Sequence, residues 1–263
     1  MAAAKDKKPS ASMPRIRPVP AVSRAIAILR LLGRTPEPLG VKAIATSLSM
    51  VPSTCLHILR VLVAEGLVTV ENDTKRYTLG SGILSIARSA IERSGFATLV
   101  QPVLDRLAKT WEVTTIGVEI SDPEHMVAIA ISRSRIPFAL HVEVGSRFPA
   151  LLSATGRLYA AFGDLPWPHI ETAFKSLRWD RPLSFSAWKK EVEQARKAGY
   201  AVDRDQYING VTVVAVPLLD AKGKLTYTLA GAGLSEQTTT SRIEDMAGDM
   251  MKEARTLSRQ IIT

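Results

Sequence analysis

Residues 41–80 constrain the fold most strongly, because their apolar spacing predicts two short helices followed by a β-hairpin. The apolar residues of the first helix recur at helical spacing: Val41, Ile44, Ala45 and Leu48. Pro52 suits the first turn of the next helix, since its missing N–H would have no partner there anyway. That helix is predicted over residues 52–65, with Gly66 as its C-cap. Helix, turn, helix and hairpin in this order outline a winged helix-turn-helix, which lays one helix in the major groove of DNA.

The polar face of the second of these helices carries residue types that contact DNA. Ser53, His57 and Arg60 fall at i, i+4 and i+7, and Thr54 flanks them. Hydroxyls and free N–H groups at a helix start hold phosphate, while longer donors reach base edges. A basic pair at the rim of the hairpin is expected to contact phosphate without choosing a sequence. The predicted DNA contacts are Pro52, Ser53, Thr54, His57, Arg60, Lys75 and Arg76.

Positive charge is concentrated in the same part of the chain. Residues 1–94 hold 14 Lys and Arg against 6 Asp and Glu, whereas the remainder holds 20 against 19. A basic N-terminal module on a near-neutral body indicates a DNA-binding head and a domain for a different partner. Pro, Ser and Lys crowd residues 1–20 without apolar periodicity, which predicts a disordered tail. The alternative for this tail is a basic arm that touches phosphate.

Several classes of protein are excluded by composition. No apolar run reaches the roughly 20 residues that span a bilayer, and the first residues lack the apolar run of a secretory signal. Cys55 is the only cysteine, which excludes an internal disulfide and fits a reducing compartment. The four histidines lack the paired spacing of a metal site. We therefore expect a cytoplasmic protein without membrane contact, cofactor or metal.

Helical and strand-like patterns interleave in the body of the chain. The predicted helices cover residues 96–110, 154–162, 187–198 and 240–262, and the predicted strands cover 113–120, 126–132, 138–144, 211–219 and 224–231. The Leu165-Pro-Trp-Pro168 segment is interpreted as an interruption. Hairpins without long crossovers predict an α+β sheet with helices packed on it. Ahead of this body, an apolar stripe from Leu79 to Ile91 predicts a linker helix that packs on its own head or on a second copy.

Two clusters of small residues, 153–156 and 230–233, suggest a pocket in the body. Small side chains leave volume, and free N–H groups at a helix start favour a carboxylate. The alternative is that these residues only allow helices to pack closely on the sheet. Ser153, His141 and Asp203 resemble a catalytic triad by residue type, but no nucleophile-elbow pattern surrounds the serine and no nucleotide or zinc-protease motif occurs. The sequence predicts a binding domain, with an architectural factor or an enzyme carrying a winged helix as the alternatives.

Five segments in order resemble the IclR-type bacterial transcriptional regulators over roughly residues 21–262. They are VSRAIAILRLL, STCLHILRVLVAEGLV, RYTLGSGIL, VGSRFPALLSATGRLYAAF and GYAVDRDQYINGVTVVAVPLLDAKGKL. The resemblance implies a winged helix over 21–80, a linker helix over 81–95 and a GAF-like α/β effector domain over 96–263. It also implies a homodimer or dimer of dimers, in which a bound metabolite re-spaces the two DNA-binding heads.

The recognition helix departs from the family at two positions. The family commonly has a basic residue just before the Ser-Thr pair and an arginine three residues after the threonine. Pro52 and His57 stand there in this chain. Losing two cations implies either weaker phosphate anchoring or a base preference shifted away from the guanine contacts typical of arginine.

The resemblance also implies an effector site between a helix start and the last strands. Its matched positions are Leu140, Phe148, Ala154, Thr155, Asp203, Val211, Val213, Ala230 and Ala232. Several family members have hydroxyl or thiol groups at the positions of Val213, Ala230 and Ala232, so the implied pocket is more apolar here, with Phe148 available for stacking. The implied ligand is an aromatic or otherwise apolar carboxylate. Asp203 is expected either to accept a hydrogen bond from the ligand or to cap a loop.

Overall fold

The computed structural model describes residues 19–93, 95–133 and 142–261, with side chains throughout except at residues 89–93. Contacts divide the chain after Glu92 into two compact units. The predicted disordered tail lies outside the described residues apart from its last two positions, and the first helix begins at Pro20.

The N-terminal unit combines four helices with a small sheet among its described residues. Its elements are α1 (Pro20–Arg34), β1 (Leu39–Gly40), α2 (Val41–Ser47), α3 (Pro52–Ala64), β2 (Val68–Val70), β3 (Arg76–Leu79) and α4 (Gly82–Arg93). β3 lies between β1 and β2 and is antiparallel to both. The predicted helices and hairpin are confirmed. β1 escapes prediction because two residues are too few to show alternation.

The inward faces of α1, α2 and α3 form the core of this unit. Ile28, Ile44 and Leu59 are fully buried, one from each helix. Gly66 ends α3 at the predicted place, with a left-handed φ of 71° that turns the chain toward β2. At Gly80, which joins β3 to α4, a Cβ atom would lie 2.3 Å from the carbonyl oxygen of Gly66. Only glycine therefore lets the chain leave the hairpin so close to the end of α3.

The C-terminal unit is built on a six-stranded antiparallel sheet in order β6-β5-β4-β9-β8-β7, counted over its described residues. Its strands are β4 (Thr114–Asp122), β5 (His125–Ser132), β6 (Arg147–Pro149), β7 (Ala201–Arg204), β8 (Val211–Leu219) and β9 (Leu225–Leu234). Its helices are α5 (Gly95–Trp111), α6 (Ser153–Phe162), α7 (Trp167–Lys175), α8 (Phe185–Ala198) and α9 (Thr240–Ile261). The predicted α+β class is confirmed.

Helices cover both faces of this sheet. α5 and α9 pack on one face, and α6 packs on the other with α8 beside it. Successive residues of β8 alternate between the two layers, as the pleat of a strand requires. Val214 and Val216 join the core under α5 and α9, whereas Ala215 joins the core under α6 and α8.

Some predicted elements differ from the structure. Pro166 and Pro168 do not interrupt the chain but begin α7, as its N-cap residue and within its first turn, where a missing N–H needs no partner. Most of the strand predicted over 138–144 lies outside the described residues. Its described end, 142–144, is not a strand, and the short β6 forms the sheet edge instead. β7 has only four residues and escapes prediction.

Candidate functional sites: the recognition helix and a cavity

α2 and α3 have the mutual orientation of a helix-turn-helix. They are bent by 112° across a four-residue break, within the roughly 90–120° of such motifs. The Met50 N–H donates to the carbonyl of Ala45 at 2.8 Å across the turn. No single helix among the described residues is long and apolar enough to cross a membrane, and this bent pair passes that test only as a pair.

The predicted reading face of α3 is exposed. Pro52, Ser53, His57 and Arg60 are solvent-exposed, and Thr54 is half-buried. Pro52 occupies the first turn of α3 as predicted. Since the residues at i, i+4 and i+7 share one face of a helix, a row of hydroxyl, imidazole and guanidinium groups points to solvent. The opposite face is apolar.

Cys55 lies on that apolar face. Its side chain is fully buried between the helices of the N-terminal unit, and burial raises the pKa of the thiol. A neutral, buried thiol is a poor nucleophile. Cys55 therefore belongs to the core of the head.

The hairpin presents Lys75 and Arg76 at its rim, and both are exposed. Lys75 has a left-handed φ of 55° in the turn between β2 and β3. Arg76 donates from Nη1 to the carbonyl of Pro38 at 3.4 Å, which ties the hairpin to the segment entering β1. The two cations lie 15 or more positions along the chain from Arg60 and form a separate candidate contact on the same unit.

The C-terminal unit contains a cavity of about 450 Å³. It is bounded by β4, β5, β8 and β9, by the start of α6 and by the loop between β7 and β8. No described lining residue is charged, and the lining is Ile116, Val118, Met126, Val142, Phe148, Leu152, Ser153, Thr155, Tyr207, Ile208, Asn209, Gly210, Val211, Val213, Ala230, Ala232 and Leu234. Such a volume and apolar wall are typical of small-molecule sites.

Most of the nine predicted effector positions meet at this cavity. Six line it: Phe148, Thr155, Val211, Val213, Ala230 and Ala232. Ala154 is fully buried in the adjoining core and is not among the lining residues. Leu140 lies outside the described residues. The cavity also includes Tyr207, Ile208 and Asn209, which no sequence pattern indicated.

Asp203 lies behind the cavity wall in a buried ion pair. Its side chain is 1% exposed and its Oδ2 accepts from Arg157 Nη1 at 3.3 Å. Its Oδ1 accepts from the backbone N–H groups of Gln206 and Tyr207, both at 3.2 Å. Among the two expected roles, the geometry is that of a loop cap. The capped loop supplies Tyr207 and the following residues to the cavity wall.

Arg157 holds this arrangement together, and sequence reasoning missed it. Its Nη1 donates to the carbonyl of Ser153 at 2.8 Å, and its Nε donates to Glu191 at 2.8 Å. Its Nη2 donates to the side-chain oxygen of Gln206. The guanidinium carbon also lies 5.8 Å from the ring centre of Trp179. One side chain thus links the start of α6, the β7–β8 loop and α8.

Burial shifts the pKa of two groups at this wall. Burial raises the pKa of the Asp203 carboxyl, and Arg157 opposes that shift only in part. Arg157 also faces Glu191, so one cation is shared by two carboxylates. Burial likewise raises the pKa of Tyr207, with help from the charges of Asp180 and Asp203. The phenol of Tyr207 is therefore neutral at ordinary pH, and Tyr207 is one of the residues that line the cavity.

The residues of the rejected triad do not form one among the described residues. Asp203 is engaged with Arg157 and two backbone N–H groups. Ser153 Oγ has no hydrogen-bond partner in the part of the chain that the structure describes, and His141 lies outside that part. The described part of the chain also holds no group of three or more His, Cys, Asp or Glu that could bind a metal.

Comparison with known families covers both units. The model of the bacterial transcriptional regulator IclR C-terminal domain matches residues 88–259. The model of the IclR helix-turn-helix domain matches residues 21–71. Both describe regulators and not enzymes, in agreement with the prediction from the sequence.

Individual relatives agree with these matches. The chain is 24% identical over 241 residues to the HTH-type transcriptional repressor AllR of Escherichia coli (strain K12), covering 90% of this chain and 89% of that protein. Its fold is similar to that of an IclR regulator from Alicyclobacillus acidocaldarius, with 22% identity, a TM-score of 0.79, and 92% and 98% of the two chains covered. It is also similar to an IclR homologue from Microbacterium hydrocarbonoxydans complexed with 4-hydroxybenzoate, with 17% identity, a TM-score of 0.72, and 91% and 98% covered.

The family matches extend over more than half of the chain and include both its DNA-binding and its C-terminal domain. The predicted resemblance is therefore confirmed. The chain belongs to the IclR family of bacterial transcriptional regulators.

Proposed function

We propose that this regulator binds operator DNA through the exposed face of α3 and responds to an apolar, preferably aromatic monocarboxylate. The observation that carries the effector assignment is the cavity of about 450 Å³ at the start of α6, whose described lining has no charged side chain. A ligand shifts DNA binding only by the difference in its affinity for the DNA-competent and DNA-incompetent states. The regulator acts in the compartment that holds the DNA, which in bacteria is the cytoplasm.

On the DNA side, Ser53, Thr54, His57 and Arg60 enter the major groove and Pro52 starts the helix beside the phosphates. Exposure and spacing of these side chains on one helix face support this assignment. Lys75 and Arg76 contact the sugar-phosphate backbone from the hairpin. Base contacts choose the sequence, whereas phosphate contacts fix position.

Binding of a labelled fragment from the regulator's own upstream region tests the two kinds of contact. Arg60→Ala and His57→Ala are expected to weaken specific binding by about 1–3 kcal/mol per lost base contact. Lys75→Ala is expected to weaken binding to DNA of every sequence to the same extent. It is also expected to reduce the slope of log K against log salt concentration by about one. If all three variants bind like the parent, the groove assignment is wrong.

On the effector side, the lining explains the preference for an apolar ligand. Val213, Ala230 and Ala232 give this wall methyl groups and no hydrogen-bonding side chains. The first N–H groups of α6 have no intrahelical acceptor and favour an anion. The relative complexed with 4-hydroxybenzoate supports an aromatic carboxylate as the first ligand to try.

A thermal-shift screen with 4-hydroxybenzoate and related acids tests this half of the proposal. Ala230→Trp is expected to fill the cavity and abolish the ligand response, because Ala230 is 3% exposed and lines it. Operator binding by that variant serves as the control and is expected to persist. A parent protein that binds its operator but no acid would favour an architectural factor whose body only oligomerises.

The head also carries apolar surface suited to a second copy of the chain. Val19, Val22 and Ile26 on and before α1 are 58%, 56% and 43% exposed, and Leu84 and Ile86 on α4 are 70% and 63% exposed. We propose α4 as the linker helix and these surfaces as part of a homodimer contact, because pairing adds the energies of two half-sites. Sedimentation of Leu84→Glu/Ile86→Glu is expected to show a smaller assembly than the parent.

A further inference from the structure

Ser153 combines three features that do not occur together at its described neighbours. Its side chain is 7% exposed and lines the cavity. Its Oγ is buried without a hydrogen-bond partner among the described residues. Its backbone has a left-handed φ of 57°, which a residue with a side chain seldom adopts.

Two of these features cost stability. A buried hydroxyl without a partner costs about 1–3 kcal/mol, and a left-handed residue other than glycine costs on the order of 1–3 kcal/mol. The next hydroxyl of the same helix turn shows that partners exist nearby, because Thr155 Oγ1 lies 3.2 Å from Thr228 Oγ1. Ser153 therefore carries an unsatisfied hydroxyl at the cavity wall on a strained backbone.

The start of α6 around this hydroxyl is rigid. The Gly156 N–H makes the first bond of the helix, to the carbonyl of Leu152 at 2.9 Å. A Cβ atom at Gly156 would lie 1.9 Å from the carbonyl carbon of Leu151, so glycine is required for the chain to pass so closely. Arg157 holds the carbonyl of Ser153 from behind at 2.8 Å. The Ser153 hydroxyl and the N–H groups of the first turn therefore keep a fixed arrangement.

We propose that Ser153 Oγ is a specificity-determining contact of the effector and donates a hydrogen bond to the ligand's carboxylate. This inference rests on the proposed function, since it assigns the polar end of the ligand in the same cavity. The ligand class is a monocarboxylate with an apolar body, because the described lining offers donors at this point and no cation for a second carboxylate. The amide that corresponds to each acid is expected to bind more weakly, because its N–H groups would face the hydrogen-bond donors at the start of α6.

Titration calorimetry with four probes tests the contact: 4-hydroxybenzoate, benzoate and the two corresponding amides. Ser153→Ala removes the hydroxyl, and Ser153→Gly removes it while suiting the left-handed φ. Both variants are expected to lose roughly 10- to 100-fold in affinity for the acids, the range of a hydrogen bond to a charged group. The parent is expected to prefer each acid over its amide, and the variants to lose most of that preference.

Thr115→Val is the matched control because it removes a buried hydroxyl that already has a partner and does not line the cavity. Thr115 Oγ1 donates to the carbonyl of Leu104 at 2.8 Å, so the ligand-free melting temperature is expected to fall while the preference for acid over amide remains. The ligand-free melting temperature of Ser153→Ala is expected to stay equal or rise, because an unsatisfied group is removed. A fall like that of Thr115→Val would indicate a structural serine and overturn the proposal.

The outcomes separate this inference from the function on which it rests. A parent that binds the acids, with serine variants that bind them equally well, overturns the Ser153 contact and leaves the effector cavity in place. A parent that binds acids and amides alike overturns the carboxylate orientation. A parent that binds none of the probes overturns both the contact and the effector assignment.

Discussion

Two arginine-centred clusters in the C-terminal unit have the same charges and opposite surroundings. The buried cluster consists of Arg157, Asp203 and Glu191, and the exposed cluster of Arg106, Asp249 and Glu253. The arginine side chain is 1% exposed in the first and 43% exposed in the second. The closest ion-pair distances are similar, 2.7 Å and 2.8 Å. Distance alone therefore does not distinguish the two clusters.

The clusters differ in what they hold. Arg106 connects α5 to α9 through two carboxylates one helical turn apart, on the face of the sheet away from the cavity. Arg157 connects the start of α6, the β7–β8 loop and α8, of which the first two form the cavity wall. A buried charge is stable only when hydrogen-bonding or oppositely charged groups surround it. Because the partners of the buried Arg157 come from several chain segments, this side chain holds those segments together. The same composition links two helices at the surface in one place and supports the wall of the cavity in the other.

The largest expected difference follows from deleting each arginine. Arg157→Met leaves Asp203 and Glu191 without their cation, one of them buried, and is expected to reduce the free energy of unfolding by about 3–5 kcal/mol. Arg106→Met leaves carboxylates that water still reaches, and about 0–1 kcal/mol is expected. Urea unfolding of both variants measures the difference. Equal losses of unfolding free energy in the two variants would show that burial of the arginine does not determine how much each cluster stabilises the fold.

A smaller difference is expected when one hydrogen-bonding neighbour is removed from each cluster. Gln206→Met keeps the length of a side chain that bonds Arg157 and Glu191, and about 1–3 kcal/mol of local stability should be lost. Trp111→Phe replaces the indole with a smaller ring and removes the bond from Nε1 to Asp249 at 3.1 Å, and the lost hydrogen bond costs about 1 kcal/mol.

Amide hydrogen exchange locates these losses. Faster exchange at residues 206–210 in Gln206→Met, with the helices of the unit unchanged, would indicate that the buried cluster orders the cavity loop. Uniform acceleration across the unit would contradict that role.

The DNA-binding head was predictable because its evidence is local. Ser53, His57 and Arg60 lie within eight residues of one helix, so the helical period alone places them on one face. Pro52 and Gly66 mark the ends of that helix by their backbone chemistry. The structure agrees at both ends to within one residue. The expectation that these side chains face solvent needed no knowledge of the rest of the fold.

The cavity was predictable only in part, from the small-residue clusters 153–156 and 230–233 and from the positions that the family resemblance supplied. Arg157 joins residues 34, 46 and 49 positions away, and no local spacing encodes such partners. An arginine in a helix is ordinarily expected at the surface. The sequence pattern therefore does not indicate that Arg157 is buried. Ser153 was considered only as a small residue and as a member of a rejected triad, because the left-handed backbone and the missing partner are properties of the folded chain.

The smallest and most selective difference concerns pH. Burial raises the pKa of Asp203 from its ordinary 3.8, so its contribution to stability is present below that value and is lost as pH rises through the folded-state pKa. Asp249 behaves in the opposite way. Burial alone would raise its pKa, but hydrogen bonds from Arg106 and Trp111 lower it, so its contribution to stability is present above 3.8 and is lost as pH falls.

Urea unfolding of the parent and of each variant at several pH values measures these contributions. The stability of the parent relative to Asp203→Asn is expected to fall as pH rises above 3.8. The stability of the parent relative to Asp249→Asn is expected to fall as pH drops below 3.8. Parallel curves for the two variants would mean that the shared cation compensates Asp203 as fully as Arg106 compensates Asp249, and the contrast between the clusters would then lie in packing and not in charge.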